Sequence, residues 1–153
     1  MDNDDVISTL NDLIETSKDG EQGFLTSAEH VSSSELQTLF QQASARCAQG
    51  ARELQQEVRR LGGDPDTTGS VSGALHRGWV NIKSAVTGKD DKAILTEVER
   101  GESVAEERYR EALKKDLPSD IRAIVERQHR GVVENYDRVR TLRAPYKDPT
   151  GDD

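Results

Sequence analysis

The sequence predicts an all-α fold, a four-helix bundle whose second and third helices are joined by one long crossover. Three observations carry that expectation. Apolar residues recur at three- and four-residue spacing in four segments, Asp4–Val31, Ser34–Leu61, Asp91–Lys115 and Ser119–Leu142. The outer pairs join through a few residues, around Ser32–Ser34 and at Asp116–Leu117–Pro118. Between the second and third helices lies Gly62 to Asp90, far longer than an ordinary bundle loop. Short loops make antiparallel neighbours, whereas a long middle connection lets helix 3 run parallel to helix 2.

Each element has local signals of its own. Helix 1 centres on Leu10, Ser17 and Phe24, flanked by Leu13, Ile14, Gly20, Glu21, Ser27 and Ala28. Helix 2 opens with Ser34-x-x-Gln37, which reads as a capping box: hydroxyl and amide each reach a free N–H of the first turn. Its seam runs through Leu36, Ala43, Gly50 and Glu57, with Phe40, Cys47, Leu54 and Leu61 beside it. Gly62-Gly63-Asp64-Pro65 ends it, since glycine takes the left-handed conformation after the last turn and proline forbids continuation.

Inside the crossover, Val71, Leu75, Trp79, Ile82 and Val86 repeat at helical spacing. They predict a short amphipathic helix, about Gly73–Thr87, lying across the bundle with Trp79 as its anchor. His76 and Arg77 in that segment read as partners for nearby loop carbonyls or carboxylates, because one histidine without ligand-spaced partners makes no metal site. Asp90 or Asp91 caps helix 3, whose seam is Leu95, Val98, Glu102, Ala105, Tyr109 and Ala112. Pro118 stands at the start of helix 4, where a missing N–H is harmless. The seam of helix 4 is Ile121, Val125, Gln128, Val132, Asn135, Val139 and Leu142. Residues 1–143 form the bundle, and 144–153, with Pro145, Pro149 and Gly151, read as a frayed tail.

Composition narrows the class. With 153 residues this is one domain, long enough to bury a core without disulfides. A formal charge of -8 leaves no basic stripe for phosphates, so neither nucleic acid nor an anionic membrane surface is expected as a partner. No apolar run reaches membrane-spanning length, and the start, Met1 to Asp5, is the opposite of a basic secretory leader. The lone Cys47 fits a reducing compartment, so a cytoplasmic location is expected. A small, glycine-rich core, with apolar residues at seam edges (Ile7, Ile94, Val104, Val133), predicts a homodimer or larger homo-oligomer.

Polar residues interrupt every seam near mid-helix: Ser17 and Glu21, Cys47, Glu102, and Gln128. Beside them stand Gly20, Gly50, Gly101 and Gly131. Glycine in a helix interior costs roughly 1 kcal/mol relative to alanine, so one in each helix needs a reason. Close helix approach is one, and room for a polar cluster or ligand is the other. Glu102 on a seam needs a partner for its carboxyl, with Gln128, Ser17, a water or a metal as candidates.

Five stretches together resemble a bacterial ferritin-like four-helix-bundle family of unknown function. They are Leu10-Asn-Asp-Leu-Ile-Glu followed by Asp19-Gly-Glu-Gln-Gly-Phe24, Glu53-Leu54 leading to Leu61-Gly-Gly-Asp-Pro65, Gly69-Ser70 with His76-Arg-Gly-Trp79, Glu99-Arg-Gly-Glu102, and Gln128. The resemblance spans about Leu10–Leu142 and implies a ferritin-like bundle, with a role in stress physiology suggested by the wider superfamily. It implies no particular reaction, substrate or catalytic residue.

Di-iron members of that superfamily place one Glu on each of two helices and Glu-x-x-His on each of the other two, all facing inward. The one such string here, Glu126-Arg-Gln-His129, has the wrong phase. With Gln128 on the core line, Glu126 is turned away by roughly 160°, at about 100° per residue. A full di-iron set is therefore absent from the sequence. A reduced, oxygen-rich site for a divalent metal ion can be drawn from Glu21, Glu53, Glu102 and Gln128, with Glu57 as the helix 2 alternative. Otherwise Glu21 and Glu53 are solvated flank residues, and Glu102 with Gln128 forms a buried hydrogen-bonded pair. No phosphate loop, zinc spacing or dinucleotide fingerprint occurs. Cys47 has no histidine near it in sequence or phase and reads as packing. Two expectations remain: a non-enzymatic bundle acting through association, and a metal-binding or weakly redox-active protein using the mid-bundle carboxylates.

Overall fold

The computed structural model describes residues 1–65, Trp79 and 90–146. They form four long helices, α1 (Asn3–His30), α2 (Ser34–Arg60), α3 (Asp91–Leu113) and α4 (Ser119–Arg143), and a closing 3-10 turn, Ala144–Tyr146. That turn occupies the first residues of the expected frayed tail; the expected crossover helix lies, Trp79 apart, outside the described residues. No described helix is long and apolar enough to cross a membrane.

Bonds between the helices give their directions. Asn11 near the start of α1 donates to the Asp64 carbonyl just past α2 at 3.2 Å, and Ser44 donates to the Glu21 carbonyl at 2.9 Å, so α1 and α2 are antiparallel. At one end of α3 the Asp91 carboxylate accepts from the Ser32 and Ser33 N–H groups at 2.8 and 3.2 Å. Beyond its other end Lys115 donates to Thr9 at 3.1 Å, so α3 also opposes α1 and runs the same way as α2. Helix α4 returns against both: Arg122 reaches the Leu113 carbonyl at 2.9 Å, and Arg60 at the end of α2 meets Asp120 at the start of α4.

The termini show which local signals acted. Ser33, not Ser34, caps α2, its hydroxyl accepting from the Leu36 N–H at 3.3 Å. The expected capping box is therefore displaced: Gln37 donates back to the Val31 carbonyl and ties the helix to the preceding turn. Ser34 is displaced because Ser32 and Ser33 are held by Asp91 from across the bundle, which sets where the turn ends. At the other end Gly62 has φ of 87°, its N–H bonds the Arg59 carbonyl, and the Gly63 N–H bonds the Val58 carbonyl. This is the Schellman arrangement that glycine at this position favours. Asp90 caps α3 through the Lys92 N–H, which frees Asp91 for its tertiary role.

The seams pack as two apolar clusters. One gathers Phe24, Phe40, Trp79, Leu95, Val98 and Val139 at the end holding the α1–α2 turn. The other gathers Leu10, Leu13, Leu54, Val58, Ile121 and Val125 at the opposite end. One seam-edge residue expected at the surface is not there: Ile94 is fully buried in the first cluster. Ile7 is half-buried and packs its side chain onto Gly63, where the tight turn brings backbone within reach. Trp79 is 6% exposed and meets Phe24 edge-on at 5.2 Å. Its indole lies directly on helix backbone: a Cβ at Gly23 or at Gly101 would stand 2.3 Å from ring atoms. The absence of side chains on α1 and α3 at these two positions makes the slot that the ring fills.

Candidate mid-bundle site

Between the two apolar clusters lies a polar layer surrounding a cavity of about 150 Å³. All four helices supply it, among them Ser17 from α1, Cys47 and Glu53 from α2, Glu102 and Tyr109 from α3, and Gln128 from α4. The glycines expected to make room have separate jobs. A Cβ at Gly20 would meet the Cys47 sulfur at 3.0 Å, and one at Gly101 would strike Trp79. Gly50 and Gly131 would both accept a Cβ at ordinary contact, 3.5 Å, but each presents its carbonyl to a side chain from across the bundle.

Tyr109 is the hub of the first network. Its phenol donates to Gln128 Oε1 at 2.7 Å, leaving Ser17, 3.2 Å away, to donate to the phenol oxygen. Gln128 Nε2 donates to the Gly50 carbonyl at 3.2 Å and to Glu53 Oε1 at 2.8 Å, and the other Glu53 oxygen pairs with Arg127 at the surface. A continuous row of hydrogen bonds thus runs from Ser17 through the layer to solvent. Burial pushes the Tyr109 phenol well above its ordinary range, with Ser17 opposing, so it remains a neutral donor. Tyr109→Phe is expected to cost about 1 kcal/mol or somewhat more, because the Gln128 oxygen loses its donor away from bulk water. Chemical denaturation measures this, and no loss of stability would mean that water already shares the site.

Glu102 anchors the second network. It is 2% exposed, accepts from Asn135 Nδ2 at 2.8 Å and faces Arg46 Nη2 at 3.7 Å. Its expected partner was Gln128 or a side chain of α1; the structure gives it Asn135 and Arg46. The reason is rise along the helix: Asn135 lies seven residues beyond Gln128 on the same stripe, level with Glu102, while Gln128 lies level with Tyr109. Burial raises the Glu102 carboxyl above its usual range, and Arg46 and Asn135 only partly offset this. Arg46 Nη1 donates to the Gly131 carbonyl at 3.1 Å, whereas its Nη2 is buried without a hydrogen bond.

The four residues drawn together as a metal set are therefore divided among different partners. Glu53 and Gln128 do meet, Glu102 is held by Asn135 and Arg46, and Glu21 pairs with Lys18 at 3.5 Å. Glu57 turns to Arg60. Among the described residues, no three His, Cys, Asp or Glu side chains converge closely enough to hold a metal ion. Glu126 is exposed, as its phase requires, and His129 sits at the boundary, bonded to Glu106 at 2.9 Å and stacked on Tyr109. The Cys47 thiol is pushed up to about 12, chiefly by burial and then by Glu102, so it is a poor nucleophile at neutral pH. Arg46 was not foreseen; its only signal is its place beside the α2 seam, next to Cys47.

Compared with known families, residues 5–115 match a domain of unknown function, DUF2383. No curated protein matches the chain.

Proposed function

The chain belongs to the DUF2383 family, and from the geometry of its polar layer we propose a cytoplasmic, non-enzymatic, ferritin-like bundle that works through association with further copies of itself. The observation that carries this reading is that the layer's carboxylates are engaged from within the chain. Glu102 has Asn135 and Arg46, Glu53 has Gln128 and Arg127, and Glu21 has Lys18. A metal would have to displace arginine or amide partners to reach Glu102 and Glu53, and to compete with the Lys18 ammonium at Glu21. The parallel course of α2 and α3, joined by a long connection, supports the ferritin-like wiring. Val104 and Val133 support association, because both remain partly exposed at one level of the α3–α4 face. The net charge of -8 speaks against nucleic acid or an anionic membrane surface as the partner.

A metal-binding or weakly redox-active protein is the second reading. One observation favours it: Glu21 Oε1 is buried and accepts no hydrogen bond, with Lys18 as an ion-pair neighbour only. Metal analysis of untagged protein, followed by aerobic addition of ferrous iron, separates the two. The first reading expects neither bound metal in stoichiometric amount nor accelerated iron oxidation, and sedimentation showing a dimer or larger species at tens of micromolar protein. A monomer at that concentration would remove the association claim, and one metal per chain would favour the second reading.

A further inference from the structure

We propose that the mid-bundle cavity is a binding site for a compact, uncharged organic molecule, about the size of a six-membered ring, carrying one hydrogen-bond acceptor. The inference does not depend on whether the protein associates with itself.

Size comes first. The cavity of about 150 Å³ matches apolar protein cavities that admit a benzene-sized molecule. Its walls include Trp79, Ala105, Val132 and glycine backbone, surfaces that offer a ligand contact area and few bonds. Most polar groups in the lining are already engaged with one another: Ser17 with Tyr109, Tyr109 with Gln128, and Gln128 with Gly50 and Glu53. Each ordered water needs two to four polar partners, and this wall has largely used its own.

One polar atom is conspicuous. Arg46 lines the cavity, and its Nη2 is buried with no hydrogen bond, 3.7 Å from the Glu102 carboxylate. Its one acceptor, the Glu102 carboxylate, lies beyond hydrogen-bond length, and an unsatisfied buried N–H is costly, so a ligand bringing one carbonyl, ether or hydroxyl oxygen gains a bond there. Charge decides the rest of the class. Among the described residues, the ionic side chains in the lining stand in two opposite pairs, Arg46 with Glu102 and Arg127 with Glu53. Their charges cancel, so neither a cation nor an anion finds a counter-charge to repay its desolvation.

The single tryptophan of the chain lines this cavity and reports on it. The full chain is titrated with cyclohexanone, and with cyclohexylammonium and cyclohexanecarboxylate as charged counterparts, by calorimetry and Trp79 emission. Cyclohexanone is expected to bind and to change the emission, with each charged counterpart at least tenfold weaker. Ala105→Leu, which fills the cavity, should weaken cyclohexanone at least tenfold while circular dichroism shows the helices intact. Arg46→Met should weaken it several-fold. A second readout on the unmodified protein, magnetisation transfer between bound cyclohexanone and the Trp79 ring, keeps the test independent of the variants. Failure of cyclohexanone to bind, equal or tighter binding of a charged counterpart, or affinity unchanged in a folded Ala105→Leu protein would each overturn the proposal.

Discussion

Trp79→Ala is expected to lower stability by about 3–5 kcal/mol, the range for truncating a large buried aromatic side chain. The ring is 6% exposed, stacks its edge against Phe24 and occupies a slot floored by Gly23 and Gly101. Removing it leaves a cavity walled by backbone, which cannot collapse without moving α1 against α3. The same geometry makes a sharper test possible. Gly101→Ala would place a methyl carbon 2.3 Å from the indole, and overpacking of that kind costs about 1–3 kcal/mol, occasionally more. In a chain already carrying Trp79→Ala the obstacle is gone, and only the helix preference for alanine remains, about 1 kcal/mol in favour. The substitution should therefore change sign between the two backgrounds, a coupling that urea denaturation of the four proteins reads directly. Equal effects in both backgrounds would mean that Trp79 does not occupy the slot.

Asn135→Leu is expected to cost about 1–3 kcal/mol near pH 7, the penalty for leaving a buried acceptor without its donor. It strips the 2.8 Å donor from a carboxyl that is 2% exposed. Its cost should shrink in acid, because a protonated Glu102 depends less on that donor. Glu102→Gln is the counterpart. Burial raises the Glu102 carboxyl above its ordinary value of 4.5, with Arg46 and Asn135 offsetting this in part. The folded chain thus holds its proton at a pH where the unfolded chain has released it. The stability this group contributes is fully present below the unfolded value and is lost as pH rises through the folded one. Glu102→Gln abolishes that loss while keeping an acceptor for Asn135. Near pH 7 it should be within about 1 kcal/mol of the wild type or more stable; near pH 4 the wild type should regain ground. Unfolding measured at both pH values checks the sign, and a wild type that gains relative to the variant as pH rises would contradict it.

Much of the architecture was legible in the chain. The stripes of α3 and α4 put Leu95, Val98, Glu102, Tyr109, Val125 and Asn135 inside, and the structure buries all six, because a 3.6-residue period leaves a helix little choice of face. Gly62 and Pro65 ended α2 for reasons local to four residues. The polar layer was legible as a layer, since Ser17, Glu102 and Gln128 each break their seams near mid-helix.

Pairings within that layer were decided in three dimensions. Period assigns a face, but which residues stand level depends on how far each helix slides along its neighbour. That slide gave Glu102 to Asn135 and Arg46, and Gln128 to Tyr109 and Glu53. Asp91 could have been one more cap; only the fold brought it to Ser32 and Ser33 and moved the cap of α2 from Ser34 to Ser33. The glycines were visible as a pattern, one near the middle of each helix, but their purposes differ because what lies opposite each of them differs. Gly23 and Gly101 hold Trp79, Gly20 faces Cys47, and Gly50 and Gly131 offer carbonyls to Gln128 and Arg46. By itself, then, the sequence determined the faces and most of the ends of the helices, which depend on neighbours a few residues away. The tertiary structure decided partners, slots and the cavity, which depend on side chains up to 106 residues apart meeting across a bundle.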